Sequence, residues 1–188
     1  MARRSSEQTK ATILAAARER FAAAGFEGAT IRAIAADAGI DPAMVMRYFG
    51  SKDKLFAAAT EFDLKFPDLS GLDRGRLGAA LVSHFLDRWE GDEALIVLLR
   101  SSTTNDEAAQ RMHQIFVTQL KPMVATVSPG GAATRSGLIA SQILGLALCR
   151  YVLRLAPVVA MSREEIVGWL GPTIQRYLFG SDSARWAR

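Results

Sequence analysis

Apolar residues recur along most of the chain at the three- and four-residue spacing that places them on one face of an α-helix. In the segment 9–25, for example, Ile13, Leu14, Ala17 and Phe21 form such a face. No segment shows the alternation of apolar and polar positions that is typical of a half-buried β-strand. The pattern therefore predicts an all-α fold.

Two capping signals place a short helix on each side of a tight turn near the N-terminus. Thr30 precedes an apolar helical pattern that ends at Gly39, and glycine is a residue that helix C-caps favour. Asp41 is then a second N-cap, with Pro42 at the first helical position, where a missing N–H costs nothing. This third helix is predicted to run to about Phe49, which gives it only about two turns.

A further N-cap and a break in the helical pattern mark the end of the N-terminal region. Ser51 is predicted to cap a fourth helix, which Pro67 ends. The segment KFPDLSGLDRG, residues 65–75, collects proline, glycine and aspartate and breaks the periodicity. We therefore predict a helix-turn-helix domain at 1–66 and a C-terminal helical domain at 67–188.

The C-terminal domain is predicted to contain five more helices. Their limits come from the apolar periodicity, from an Asn105 cap, and from a capping box in which Glu165 follows Ser162 by three residues. The loop SPGG, residues 128–131, separates the last two helices from the others. The predicted helices lie at 77–89, at 93–100, after Asn105, from 133 to about 155, and after Ser162.

Composition limits the chemistry that the chain can perform. Of its 188 residues, 49% are hydrophobic, which is enough for a sizeable core. One cysteine, Cys149, excludes an internal disulfide framework and a cysteine-based zinc site, and two distant histidines offer no metal pair. We therefore predict no metal and no cofactor. The N-terminus lacks an apolar secretory segment, which favours a cytoplasmic location.

The longest apolar run, residues 137–149, is shorter than the roughly 20 residues that a membrane-spanning helix needs. We expect a buried helix there and no membrane partner. The net charge of +4 and the isoelectric point near 9.6 permit an acidic partner. Because the basic residues are spread along the chain, their local placement has to identify that partner.

The second and third predicted helices, joined by the turn AGID, form the arrangement of a helix-turn-helix motif. In this motif the second helix of the pair lies in the DNA major groove. Val45 and Phe49 are four residues apart on that helix and are predicted to pack inward. The outward-facing residues are then Ala43, Met44, Met46, Arg47 and Tyr48.

Hydrogen-bond donors and cations flank this short helix, as binding to phosphate acceptors requires. They are the helix N-terminus capped by Thr30, and the side chains of Arg32, Tyr48 and Lys52. Residues 1–54 carry nine basic and six acidic side chains, an excess of +3. Taken singly, each of these residues also fits an ordinary solvated or packing role, and it is the surrounding motif that favours DNA.

Three segments, FAAAGFEGAT, IRAIAADAGI and YFGSKDKL, resemble the DNA-binding region of the tetracycline-repressor family of bacterial regulators, over residues 9 to about 60. The family commonly has tyrosine where this chain has Met46. Direct base readout is therefore expected to rest on Arg32 and Arg47, with apolar contacts from Met44 and Met46. The resemblance implies DNA contacts by Thr30, Arg32, Pro42, Ala43, Met44, Met46, Arg47, Tyr48 and Lys52.

Small side chains recur every fourth residue from Ala133 to Cys149, so another helix can approach this face closely. That helix belongs either to the same chain or to a second copy. The family resemblance implies a symmetric homodimer joined by the last two helices. The predicted interface consists of Gly137, Ser141, Gly145, Cys149, Ile166, Trp169, Leu170, Thr173 and Tyr177.

Apolar and aromatic residues on several C-terminal helices fit an ordinary core. The family resemblance implies instead a ligand cavity in this region, with Arg100 and the two histidines as polar groups for an otherwise apolar ligand. The predicted ligand-binding residues are His84, Phe85, Trp89, Arg100, Met112, His113, Phe116, Met123, Leu146 and Tyr151.

The chain lacks a glycine-rich phosphate loop, a serine elbow and a histidine–glutamate metal motif, so we predict no catalytic residue and no enzyme.

The predicted function is that of a DNA-binding transcription regulator, a repressor released from a pseudo-palindromic operator by a small apolar ligand. Its partners would be double-stranded operator DNA, a second copy and an unidentified effector. A ligand-independent regulator or activator, and a helical carrier or enzyme that has lost DNA binding, remain as alternatives.

Overall fold

The computed structural model describes residues 2–67, 71–91 and 93–180. All regular elements in these ranges are helical, which confirms the predicted all-α fold. The α-helices are α1 (Ala2–Gly28), α2 (Ile31–Ala38), α3 (Pro42–Phe49), α4 (Lys52–Ala59), α5 (Leu77–Gly91), α6 (Glu93–Ser101), α7 (Asp106–Ile115), α8 (Lys121–Val127), α9 (Ala132–Ala147), α10 (Ala156–Ala160) and α11 (Arg163–Phe179). A 3₁₀ turn lies at Arg74–Arg76, and π-helical turns at Phe116–Leu120 and Leu148–Val152 continue α7 and α9.

The described residues form two compact units. The first consists of residues 2–62 and 93–112, and the second of residues 63–67, 71–91 and 113–180. Helix α6 lies beyond residue 66 in the chain but packs on α1 within the first unit. The functional division of the chain at residue 66 therefore stays a proposal.

An aromatic cluster forms the core of the first unit. Phe21 and Phe56 are fully buried, with ring centroids 5.0 Å apart and planes perpendicular. Phe26 completes the cluster at 5.0 Å from Phe56. Arg20 of α1 also donates two hydrogen bonds to the carboxylate of Asp37 in α2, one of them 2.7 Å long. Helix α1 thus carries α2 and α4 in defined positions.

Two helix ends in the first unit differ from the sequence-based expectation. Helix α4 ends at Ala59 and not near Pro67, and the hydroxyl of the next residue, Thr60, donates to the carbonyl oxygen of Phe56 at 2.7 Å. Helix α1 continues to Gly28, three residues past the predicted stop, with a break at Gly25, where φ is 69°. Glycine adopts this left-handed φ without the strain that a side chain would add.

The second unit is organised by the close crossing of α5 and α11. The backbone N–H of Gly78 donates to Oε1 of Gln175 at 2.8 Å. A Cβ atom on Gly78 would lie 2.3 Å from the carbonyl oxygen of Gly171, and one on Gly171 would lie 3.1 Å from Cα of Ala79. At Gly78 the two backbones therefore meet where only glycine fits.

Helix α9 is less buried than its sequence suggests. With the π-helical turn it forms 21 continuous residues, Ala132–Val152, of mean hydropathy 1.3, which meets the length and composition of a membrane span. Only 22% of this apolar window is buried within the chain, so the expectation of a buried helix is wrong for a single copy. The helix packs on α8 and α11, and its buried residues are Ser136, Ile139, Ile143 and Ala147.

A short helix between α9 and α11 escaped the sequence analysis, which placed one helix up to about residue 155. The chain leaves the π-helical turn at Leu153, and Arg154 adopts a φ of 53°. Helix α10 then starts with Pro157 in its first turn. The guanidinium of Arg150 donates to the carbonyl oxygens of Val158 and Met161, at 2.7 and 3.0 Å, which holds this helix against the end of α9.

Candidate DNA-binding surface

The helix-turn-helix motif is built by side-chain caps at each predicted position. Thr30 accepts a hydrogen bond from the backbone N–H of Ala33 at 3.1 Å, and Asp41 accepts one from Ala43 at 2.7 Å. Gly39, at φ 63°, closes α2 by donating its N–H to carbonyl oxygens of the last turn. Each cap satisfies a backbone donor that a helix N-terminus leaves unpaired. The starts of α2 and α3 are therefore set by local sequence.

Helix α3 presents one side to the core and the other to solvent. Val45 is fully buried, which confirms its predicted inward position, while Phe49 is half-buried. Met46 is 42% exposed, although it is a large apolar residue. Of the other predicted contact residues on α3, Pro42, Ala43 and Arg47 are exposed, and Met44 and Tyr48 are half-buried.

Tyr48 links the end of α3 to the start of α1. Hydrogen bonding from Ser6, together with the nearby charge and hydrogen bond of Arg47, lowers the pKa of the Tyr48 hydroxyl from its usual range. The ring centroid of Tyr48 lies 5.8 Å from Nζ of Lys10 and 5.6 Å from Cζ of Arg47. Cations over an aromatic face are attracted by the ring quadrupole. The phenol thus stands beside two positive groups.

Lys10 was missed by the sequence analysis. It lies on α1, more than thirty positions before α3 in the chain, and no local spacing signals that the two helices meet. Its exposed position beside Tyr48 adds a cation to the predicted surface. The only sequence signal was a basic residue near the N-terminus of a helix, which is also an ordinary surface pattern.

Lys52 is held in place at the start of α4. Its ammonium nitrogen lies 4.3 Å from the ring centroid of Phe26 and 3.4 Å from the carbonyl oxygen of Glu27. The remaining predicted anchors, Thr30 and Arg32, are exposed at the start of α2. The side chains near α3 therefore include the cationic groups that a phosphate backbone requires, at positions that solvent reaches.

The two perturbed tyrosines should ionise in a definite order. The pKa of Tyr48 is lowered, whereas burial, and then the charge of Glu90, raise the pKa of Tyr151. As the pH rises, Tyr48 should therefore ionise first, measurable as phenolate ultraviolet absorbance. If Tyr48 contacts a DNA phosphate, DNA affinity should fall over the same range, because a phenolate repels phosphate. Tyr48→Phe should remove the absorbance change at lower pH, and Tyr151→Phe the one at higher pH. If Tyr151→Phe removed the change at lower pH instead, the surroundings described for the two hydroxyls would be wrong.

The predicted ligand-binding residues do not form one cluster. Phe85 and Trp89 are buried in the second unit, and the rings of Trp89 and Tyr151 stack with centroids 6.1 Å apart. Arg100 and Met112 belong to the first unit, where the Arg100 guanidinium donates to the carbonyl oxygen of Ala22. The other predicted residues are partly buried in the second unit, except for exposed His113; they are His84, Phe116, Met123 and Leu146.

The predicted dimer residues largely share one face of the second unit. A groove of about 400 Å³ lies between α9, α10 and α11. Six of the nine predicted interface residues line it, and Ile166 among them is also buried in its own chain. The groove is lined by Gln142, Gly145, Leu146, Cys149, Val158, Met161, Ile166, Trp169, Leu170 and Thr173. Gly137, Ser141 and Tyr177 lie outside it.

Two family descriptions match the chain. Residues 13–59 match "Bacterial regulatory proteins, tetR family", and residues 75–178 match "Tetracyclin repressor-like, C-terminal domain". The first match contains the whole helix-turn-helix motif, and the second contains the groove. Together they cover most of the chain.

Similar proteins come from several bacteria. The HTH-type transcriptional repressor SCO4008 of Streptomyces coelicolor is 44% identical over 61 residues, which are 32% of this chain and 32% of that protein, so the match spans only about a third of the curated relative. The TetR-family regulator SCO0857 of Streptomyces coelicolor is 26% identical with a TM-score of 0.59, over 92% of this chain and 95% of that one. NalD of Pseudomonas aeruginosa, the secondary repressor of the MexAB-OprM multidrug efflux pump, shares the fold at 21% identity and a TM-score of 0.64, over 92% and 97%.

Proposed function

Because the chain belongs to the tetracycline-repressor family of DNA-binding transcription regulators, we propose that it represses transcription by placing α3 in the major groove of an operator. The observation that carries this proposal is the solvent-facing side of α3, which is capped at its N-terminus and flanked by cations. The second helix of a helix-turn-helix motif reads base edges with its N-terminal residues. The action would take place in the cytoplasm, where bacterial DNA lies.

Within this proposal, the residues on and around α3 have separate roles. Arg47 and Arg32 are exposed and long enough to reach base edges, and arginine can pair with guanine through two hydrogen bonds. Met46 offers an apolar surface suited to a thymine methyl group. Lys52, held by Phe26 and Glu27, is a phosphate anchor, and Thr30 positions the N-terminus of α2 for the same purpose.

Replacing Arg47 by alanine tests the proposed base contact. If the guanidinium pairs with guanine, Arg47→Ala should reduce the preference for the operator over unrelated DNA by about 1 to 3 kcal/mol. The measurement is a pair of binding titrations at one salt concentration, one with operator DNA and one with unrelated DNA. Arg76→Ala, which removes an exposed arginine of the second unit, is the matched control. An unchanged preference in Arg47→Ala would remove this role.

We propose a homodimer as the DNA-binding form. A single α3 of eight residues contacts few base pairs, whereas two copies related by a two-fold axis read two half-sites. The under-buried apolar helix α9 and the groove beside it supply a face for the second copy. Selection of bound fragments from genomic DNA by the purified protein should then recover a pseudo-palindromic sequence. Recovery of unrelated fragments, or of none, would contradict the proposed function.

We further propose that a small, largely apolar molecule releases the protein from DNA, as is typical of the family. In the second unit, two pairs of rings are in contact: the centroids of Phe66 and Phe85 lie 5.7 Å apart, and those of Trp89 and Tyr151 lie 6.1 Å apart. The indole N–H of Trp89 is buried without a hydrogen-bond partner, so a ligand with an acceptor would satisfy it.

Thermal-shift screening with aromatic compounds that carry a hydrogen-bond acceptor tests the proposed release by a ligand, with Trp89→Phe as the variant that lacks the indole donor. A set of compounds that neither stabilises the protein nor releases it from the operator would favour ligand-independent regulation.

A further inference from the structure

The side chain of Met46 is the most accessible thioether in the described part of the chain. It lies on α3, in the candidate DNA-binding surface, and is 42% exposed. The other methionines that the structure describes are half-buried; they are Met44, Met112, Met123 and Met161. Oxidation of a sulfur atom requires that the oxidant reach it, so susceptibility follows exposure. An oxidant in solution should therefore react with Met46 first.

The sulfur groups on α3 are thioethers and not thiols. The single cysteine, Cys149, is half-buried in the second unit, where it lines the groove between α9, α10 and α11. Helix α3 carries two sulfur atoms in eight residues, those of Met44 and Met46. A redox change at the proposed DNA contact therefore has to occur at a methionine.

The side chain of Met46 extends from a rigid point of α3. The carbonyl oxygen of Met46 accepts a hydrogen bond from the N–H of Gly50 at 2.8 Å, and the neighbouring Val45 is fully buried. The backbone is thus fixed, while the side chain reaches solvent beside the exposed Arg47. In the proposed complex with DNA, this side chain offers an apolar contact, such as one with a thymine methyl group.

Oxidation would turn this apolar contact into an unfavourable one. A sulfoxide places a polar oxygen on a side chain that was apolar. Burying that oxygen against a methyl group, without a hydrogen-bond donor, costs free energy that the thioether does not cost. Because Met46 lies outside the buried core of the first unit, we expect the oxidised chain to keep its fold. The effect should therefore be confined to DNA binding.

We propose that Met46 is a reversible oxidation switch, at which a two-electron oxidant such as hypochlorous acid releases the protein from its operator. An S–O bond forms as the O–Cl bond of hypochlorous acid breaks, the sulfur loses two electrons, and chloride and a proton leave. Methionine sulfoxide reductases, which draw electrons from thiols, reverse the change. The inference rests on the proposed function and adds to it a second mode of release from DNA.

Titration of the full-length protein with hypochlorous acid tests the switch. Peptide mass spectrometry follows the addition of oxygen at each methionine, and binding titrations with the operator follow affinity in the same samples. Conversion of Met46 should weaken operator binding at least about tenfold, since each copy of a dimer loses an apolar contact. Dithiothreitol added after the oxidant returns reversibly oxidised Cys149 to the thiol but leaves the sulfoxide, so the loss should persist.

Two leucine variants locate the effect, each compared with its own untreated sample. Met46→Leu keeps an apolar side chain but has no sulfur at this position, so the oxidant should change its operator affinity less than twofold. Met161→Leu is the matched control, because it removes a half-buried sulfur of the second unit. It should lose affinity as the wild type does. Circular dichroism verifies that each treated sample is folded.

Methionine sulfoxide reductase supplies a readout that does not depend on any variant. With its thiol reductant, the enzyme should restore the operator affinity of the oxidised wild type as the added oxygen disappears from Met46. If Met46 returned to the thioether and the affinity stayed low, the loss would come from another site and the inference would be overturned.

Operator binding before treatment separates this inference from the proposed function. If the untreated protein selects no operator, the proposed function fails and the switch fails with it. If the untreated protein selects one and the Met46 sulfoxide binds it equally well, only the switch is wrong. The switch is also wrong if Met46→Leu loses affinity as the wild type does, or if one of the half-buried methionines is oxidised before Met46.

Discussion

Phe56→Ala is expected to lower the free energy of unfolding by about 3 to 5 kcal/mol, the range for truncating a buried phenylalanine. Phe56 is fully buried and packs edge-to-face with Phe21 and Phe26, with 5.0 Å between the ring centroids in each pair. The cavity would open where α4 meets α1, beneath the helix-turn-helix motif. Denaturant titration followed by circular dichroism measures the loss.

The same substitution should also weaken operator binding. Two of the proposed DNA-contacting residues, Lys52 and Tyr48, are held by residues of α1: Lys52 lies over the ring of Phe26, and Tyr48 is hydrogen-bonded with Ser6. A shift of α1 would therefore move both side chains. Phe56→Leu retains a large buried side chain and should lose clearly less stability than Phe56→Ala. Equal unfolding midpoints for the wild type and Phe56→Ala would show that the aromatic cluster does not support this unit.

Gly78→Ala is expected to lower the free energy of unfolding by about 3 kcal/mol, the upper part of the range for overpacking. The added Cβ would lie 2.3 Å from the carbonyl oxygen of Gly171 and 2.6 Å from the backbone nitrogen of Gln175. Because both neighbours are backbone atoms of α11, no side-chain rotation relieves the clash. The helices must move apart, which would also strain the hydrogen bond from Gly78 to Gln175.

Gly91→Ala is the matched control for this prediction. It makes the same substitution at the end of the same helix, where no heavy atom lies within 4 Å of the added Cβ. We expect its unfolding midpoint to match or slightly exceed that of the wild type. If Gly78→Ala behaved like Gly91→Ala, the close crossing of α5 and α11 would be wrong.

The helix-turn-helix motif was predictable because its signals are local. Thr30, Asp41 and Ser51 each cap the helix that the sequence assigned to them, with a hydrogen bond to a backbone N–H two or three residues ahead. Pro42 at the start of α3 and Gly39 at the end of α2 act within the same few residues. Such interactions depend little on the rest of the chain.

The structure differs from the sequence-based prediction where contacts between residues far apart in the chain determine the local conformation. Helix α4 ends at Ala59, and beyond it the backbone N–H of Leu64 donates to Oε1 of Gln119 at 2.7 Å, a partner that no local pattern reveals. Helix α10 depends on the carbonyl contacts made by Arg150. Arg100, a predicted ligand-binding residue, donates a hydrogen bond from its guanidinium to the carbonyl oxygen of Ala22 in α1, another partner that no local pattern reveals.

Helix α9 illustrates a different limit of sequence analysis. Its apolar composition indicated burial, and periodicity cannot tell burial within one chain from burial between two copies. The structure of one copy leaves Leu138 42% exposed on this helix. The small-residue spacing through Gly137 and Gly145 predicted a close helix contact, but apart from the helix's own backbone no heavy atom of the described chain lies within 4 Å of a Cβ atom built at either position.

The most direct test of the account is methylation interference on the operator recovered by genomic selection. Methyl groups on guanine N7 project into the major groove, the groove in which we propose that α3 lies. We predict interference at two clusters of guanines related by a two-fold axis, with centres about 10 base pairs, or a multiple of one helical turn, apart. Binding that is indifferent to N7 methylation, or that is blocked at one unpaired cluster, would contradict a dimer that reads DNA with α3.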